Sequence, residues 1–269
     1  MPYLHVPPVR LGPFSVQAFG VIAALAVVLG VKATRHRAGE LGLDVQVVDR
    51  LMPWLVLAVF VGAHLVAVVL YYPERIIDDP LILLRLWDGL SSFGGILGGL
   101  GAVYLFFRRL GIRKKHYVQA LLFGTVVGLL VGRFGCAVTH DHPGKVSTSP
   151  LAVQGWPTAQ SPERTLGFYT DGPRQHDLGL YEFLFLIPVT GILYALRHVR
   201  PFEHFHIVLV LLLYTPVRFG LYFLRVAEKL YFGLTPGQYF SVAFFVVGIG
   251  LAVWSRRYDD PRPPPQALA

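Results

Sequence analysis

Arg218 stands in the middle of an apolar run from Ile207 to Val226, and Arg133 lies near the end of another, Tyr117 to Val138. A lone guanidinium at the centre of a bilayer costs at least ~3 kcal/mol, so it needs an anion, a wet cavity or a path to the interface. Arg133 and Arg225 lie close enough to the ends of their runs for snorkelling to serve, whereas the central place of Arg218 favours an anion or a cavity. Glu182, in the run Leu178 to Arg197, is a natural ion-pair partner for one of these arginines, and Tyr181 sits beside it. His64, alone in an apolar run, reads as a packed neutral histidine. His140-Asp141-His142 follows Arg133 closely and offers three roles: a general base within an imidazole–carboxylate pair, a set of metal ligands, or a structural loop. Ligands that are neighbours in sequence rarely close a coordination sphere, so no metal and no cofactor are expected. Cys136 is the only cysteine, which rules out an intramolecular disulfide framework and any multi-cysteine zinc or iron–sulfur centre.

These groups need elements to hold them, and the composition says what kind. The 269 residues are 54% hydrophobic and 15% charged, where a soluble domain carries nearer a quarter of its residues charged. A membrane helix takes about 20 mostly apolar residues, and about seven runs qualify: Phe14 to Ala33, Leu51 to Tyr71, Leu90 to Phe107, Tyr117 to Val138, Leu178 to Arg197, Ile207 to Val226 and Tyr239 to Trp254. The third, glycine-rich and starting at Ser91-Ser92, is also compatible with a re-entrant or broken helix. The first has only Arg10 ahead of it and is too long for a signal-peptide core, so it reads as a retained span. The runs are continuous rather than alternating, which excludes a barrel. The fold class expected is an all-α polytopic membrane protein. Spans fill 1–138 and 178–257, a polar segment rich in Gly, Pro, Ser and His occupies 139–177, and a disordered Pro-rich tail covers 258–269.

The net charge of +8 would suggest nucleic acid in a soluble protein. Here more than half of the basic residues, among them Lys32, Arg35, Arg37, Arg50, Arg108, Arg109, Arg113, Lys114, Lys115, Arg197, Arg200, Arg256, Arg257 and Arg262, fall in connections on one side. That pattern sets orientation and leaves no nucleic-acid partner: N-terminus outside, C-terminus cytoplasmic, and 139–177 an outer cap or lid. With each span running in a known direction, Gln17, His64, Ser91, Ser92, Arg133, Tyr181, Glu182, Arg218, Arg225 and Gln238 all belong to the outer half. Such convergence predicts a polar cavity open to the outer leaflet, with Arg133 and Arg218 suited to a phosphate. The spacings Gly94/Gly98, Gly95/Gly99 and Gly124/Gly128/Gly132 fit close helix packing.

Gly132-Arg133-Phe134-Gly135-Cys136 with Asp141 and Gly144 resembles the signature of prolipoprotein diacylglyceryl transferases. The likeness continues in order through Leu84-Arg85-Leu86-Trp87-Asp88-Gly89, Gly94-Gly95-Ile96-Leu97-Gly98, Leu180-Tyr181-Glu182, Arg218 with Arg225, and Pro236-Gly237-Gln238. It implies a multi-pass protein of the bacterial inner membrane. The implied activity moves the diacylglyceryl group of phosphatidylglycerol, or a similar anionic phospholipid, onto the lipobox cysteine of a preprolipoprotein signal peptide and releases glycerol phosphate. A thiolate nucleophile and a phosphate leaving group require a base and fixed positive charge. His140, His142 and Glu182 are the candidate catalytic residues; Arg133, Arg218, Arg225, Tyr181, Gly94 and Gly95 are the candidates for holding substrate. Cys136 is not the nucleophile, because the acceptor thiol belongs to the partner.

The chain also departs from the family pattern. Phe93 stands where the family has a histidine before the Gly-Gly of the third span, Phe19 where it has a tyrosine, and Tyr222 where it has an acid four positions after the sixth-span arginine. Asp177-Leu178-Gly179 replaces Pro-Ser-Gln before Leu-Tyr-Glu. These changes leave two expectations open. In one, His140, His142 or His64 serves as the base; in the other, the scaffold binds phospholipid without catalysis or serves another acceptor. A small-solute transporter would instead place its polar groups at the midplane.

Overall fold

The computed structural model describes every residue except 13, 86–88, 112–113, 160, 200, 203, 227–229 and 259–269. Leu86-Trp87-Asp88 of the resemblance, Arg113 and Arg200 of the basic connections, and the tail expected to be disordered, but for Tyr258, therefore lie outside the described residues.

The expected spans are present as helices: α1 (Ala18–Glu40), α2 (Val45–Val66), α4 (Ser92–Leu110), α5 (Lys114–Thr139), α6 (Leu178–Ala195), α7 (Phe205–Phe223) and α8 (Pro236–Tyr258), with a short α3 (Glu74–Asp78) after α2. Seven of the described helices are long and apolar enough to cross a membrane, so the chain is a polytopic, largely helical membrane protein. α4 is continuous, which removes the re-entrant alternative. Two boundaries moved for local reasons. Phe14–Val16 is a strand paired with Val9–Leu11, so α1 begins at Ala18 and runs on to Glu40. α2 begins at Val45 because the Asp44 carboxylate accepts from Gln46 N at 2.9 Å, and it ends in a π-helical turn, Ala67–Tyr71. Ser91 and Asp177 cap α4 and α6 in the same way, accepting from Gly94 N (3.4 Å) and Leu180 N (3.0 Å).

Small residues set the closest helix pairs. A Cβ on Gly98 would lie 2.1 Å from Ala58 O, and one on Gly94 would lie 2.3 Å from Gly62 O, so α2 and α4 pack backbone to backbone. α1 packs on α5, α5 on α6, and α7 on α8. At the end where α2 begins and α4 ends, Val48, Leu51, Phe107, Tyr117 and Leu121 form a continuous apolar core. Val21, Leu25, Trp54, Leu57, Leu100 and Val246 stay exposed, the surface that lipid tails cover.

The other end carries a small β cap that hydropathy does not reveal. β1 (Tyr3–His5) pairs antiparallel with β6 (Gly167–Tyr169); β2 (Val9–Leu11) and β3 (Phe14–Val16) form a hairpin. β4 (Pro143–Val146), β5 (Val153–Gln154) and β7 (Arg174–Asp177) make a sheet in the order β4-β7-β5. The pairing Pro143↔Asp177 and the hydrogen bond from Leu178 N to His142 O (3.2 Å) mount the chain that leaves α5 on the first turn of α6.

Candidate active site

Glu182, one turn into α6 and 1% exposed, joins the two arginines of the apolar spans. Its Oε1 lies 3.0 Å from Arg133 Nε, and its Oε2 accepts from Arg218 Nη1. The Tyr214 hydroxyl donates to the same carboxylate. Arg133 and Arg218 are 5% and 7% exposed, so none of the three charges is satisfied by bulk water. Buried charges persist only when paired and hydrogen-bonded, and two guanidiniums on one carboxylate leave a net positive charge beside the cavity. The structure thus brings Arg133 and Arg218, both expected to suit an anion, onto the one carboxylate of Glu182.

Arg133 reaches further. Its Nη1 approaches His142 Nε2 at 3.3 Å and Cys136 Sγ at 3.6 Å, and its Nη2 approaches Ser92 Oγ at 3.5 Å. Because a guanidinium only donates, His142 Nε2 presents its lone pair and Nδ1 carries the proton, which goes to Asp141 Oδ1 at 2.5 Å. Burial raises the Asp141 carboxyl, but the His142 hydrogen bond and the Arg133 charge outweigh it and hold the group below the ordinary aspartate range. His142, Arg218, Tyr222 and Arg225 line two adjoining recesses. The smaller is completed by Glu182, Leu178 and Leu221; the larger by Tyr71, Tyr72, Gly89, Leu90, Ser91 and Ser92 among others.

Tyr222 and Phe93 build the aromatic side of the site. The Arg218 guanidinium lies 5.2 Å from the Tyr222 ring centre and 5.9 Å from that of Phe93, and Arg225 lies 5.8 Å from Tyr222. Phe93 stacks on Phe240 at 5.1 Å, so it fills its place with apolar contact and contributes no proton-handling group.

The other sequence candidates divide between scaffold and cavity. His140 is buried in the cap, with Nδ1 2.5 Å from Asp177 Oδ2 and Nε2 accepting from Leu4 N at 3.2 Å, and it lines neither recess. Tyr181 pairs with His176 Nδ1 at 2.9 Å, outside both recesses. Gly94 and Gly95 lie in the α2–α4 seam, against Gly62, Ala63 and Val59. His64 is fully buried between Ile82 O (2.8 Å) and Gly89 O (3.2 Å) and anchors the wall of the larger recess. Gln17 is exposed at the start of α1, and Gln238 caps α8 through Thr235. Cys136, Asp141 and His142 place ligand-type atoms within 4.8 Å of one another, yet Arg133 Nη1 contacts both the sulfur and the imidazole, which disfavours a cation there. Sequence reasoning missed Tyr214 and Asp177. Tyr214 stands four residues before Arg218 and Tyr222 four after, a one-face helical repeat of polar groups in an apolar span that was readable in principle.

Comparison with known proteins places the chain in a family. The family model for prolipoprotein diacylglyceryl transferase matches residues 8–254. The phosphatidylglycerol–prolipoprotein diacylglyceryl transferase of Chromohalobacter salexigens is 32% identical over 263 residues, 94% of each chain. Its counterpart in Thermus thermophilus is 35% identical over 151 residues, 55% of this chain and 53% of that one. The Wolbachia protein from Culex pipiens is 27% identical over 248 residues, covering 89% and 90%. The likeness runs almost end to end and takes in the Arg133 and Arg218 segments alike, and the chain belongs to the prolipoprotein diacylglyceryl transferase family.

Proposed function

We propose that this protein transfers the diacylglyceryl group of phosphatidylglycerol to the lipobox cysteine of a preprolipoprotein, at the exoplasmic face of a bacterial inner membrane. The observation that carries this reading is the buried Arg133–Glu182–Arg218 bridge opening on a recess with His142 in its wall. The acceptor thiol displaces Arg133 Nη1 from His142 Nε2 and gives its proton to that nitrogen, and the resulting imidazolium is stabilised by Asp141 on Nδ1. The thiolate attacks the glyceryl carbon, the carbon–sulfur bond forms, and the carbon–oxygen bond to phosphate breaks. Charge then accumulates on the departing glycerol phosphate, where Arg218 and Arg225, which line both recesses, supply fixed donors with Arg133 behind them. In this reading the imidazole missing at Phe93 is replaced by His142, reaching the site from the loop after α5 rather than from α4.

The test incubates purified protein with phosphatidylglycerol and a lipobox peptide and detects the thioether product by mass. Wild type yields product, while Arg133→Ala, Arg218→Ala and His142→Asn lose it by at least about 100-fold. Phosphatidylglycerol binding without product, under conditions where an authentic transferase works, identifies a non-catalytic lipid-binding member instead.

A further inference from the structure

His140 and His142 are two residues apart and each sets Nδ1 against an aspartate, but only His142 lines the recesses. Leu4 N donates to His140 Nε2, which fixes that nitrogen as the lone-pair side and puts the proton on Nδ1, facing Asp177. The His140 side chain is 7% exposed and lines neither recess, so it stands away from any substrate proton. The ring is packed between Tyr3 (centroids 4.6 Å apart) and Trp156 (5.7 Å), and the backbone is left-handed, φ +50.

Asp177 is fully buried and uses both oxygens: Oδ2 on His140 and Oδ1 on Leu180 N at the start of α6. α6 carries Glu182, and its first turn also donates from Leu178 N to His142 O. One carboxylate therefore connects the helix that presents Glu182 to the turn that presents Asp141 and His142, and the N-terminal strand sets the tautomer that makes the connection.

We propose that His140 is a positioning residue of the transferase: with Asp177 and the Leu4 backbone N–H, it holds His142 and Glu182 in register without moving a proton. This rests on the transfer reading above, and wild-type activity in the same assay keeps the two apart: no thioether product from wild type refutes that reading, whereas the variants below judge this one. Misplacing a catalytic group by about 1 Å is enough to cost about 100-fold.

Four variants are compared by kcat, KM for phosphatidylglycerol, pH profile and Tm in detergent. His140→Asn tolerates the left-handed backbone and presents an N–H near the place of Nδ1; it keeps kcat within about threefold of wild type. His140→Ala lowers kcat by about 10- to 100-fold with KM within about twofold and the acid limb of the pH profile unmoved. Leu4→Pro removes the one N–H that sets the tautomer, a donor not spent on β6, and lowers kcat in the same direction; it serves if His140→Ala fails to fold. His142→Asn loses activity whatever occupies position 140. If His140→Asn is as inactive as His140→Ala while keeping the wild-type Tm, His140 itself carries the proton. If His140→Ala and Leu4→Pro leave kcat at the wild-type value, the connection positions nothing. Either result overturns the proposal.

Discussion

At the scale of single residues, the site is organised by one carboxylate. Removing the charge of Glu182 leaves two buried guanidiniums without their shared counter-ion, and breaking a buried pair in this way costs on the order of 3–5 kcal/mol. Glu182→Gln is therefore expected to lower the Tm in detergent sharply, measured by intrinsic fluorescence, and to abolish activity. Arg218→Lys is expected to fare little better than Arg218→Ala, since an ammonium lacks the fork that reaches Glu182 through Nη1 and the Tyr222 hydroxyl through Nη2. Asp141 titrates in the opposite sense from a raised histidine. Its depressed carboxyl contributes stability that is complete above the ordinary aspartate range and is lost as pH falls through the depressed value. Melting curves of wild type and Asp141→Asn should thus separate at neutral pH, begin to approach near about pH 4 and meet only below the depressed value. The arginines were legible from sequence because charge within an apolar run always demands a reason. The burial of His140 in the cap was not, since it depends on Leu4 and Asp177, both remote in sequence.

At the scale of elements, the helices were legible because length and hydropathy decide them, and the cap was not. β1, β4, β5, β6 and β7 are two to four residues long, too short for any alternation to register, and they pair across gaps such as Tyr3 with Tyr169. The N-terminal boundary failed for a related reason: Phe14–Val16 is apolar enough to extend a helical run, but its partner Val9–Leu11 takes it into a hairpin. Gly94 and Gly95 show how one motif can carry two meanings. Their spacing suits either a ligand brought close to backbone or a second helix brought close, and the contacts with Gly62, Ala63 and Val59 assign the second. Gly98→Ala, whose Cβ would meet Ala58 O at 2.1 Å, should destabilise the α2–α4 pair by about 1–3 kcal/mol. Gly101→Ala, with nothing within 4 Å, should be neutral or slightly stabilising, and thermal melts of the two variants side by side check the contrast.

At the scale of the whole molecule, the groups of the candidate site gather at one end of the bundle axis, and the other end, where Arg37 pairs with Glu40, is packed by an apolar core. The recesses, the cap and the Arg133–Glu182–Arg218 bridge share one end, while Val48, Leu51, Phe107, Tyr117 and Leu121 fill the other. That apolar plug has an electrical consequence. In the proposed reaction, thiol proton, lipid phosphate and released glycerol phosphate all use the recesses at that one end, so no net charge traverses the dielectric during a turnover. A charge that did cross would exchange about 2.3 kcal/mol with each 100 mV of membrane voltage. In proteoliposomes the reaction should run at the same rate whether an ionophore-imposed diffusion potential is zero or large, and a cell that has lost its proton-motive force should still lipidate whatever acceptors already stand on the outer face.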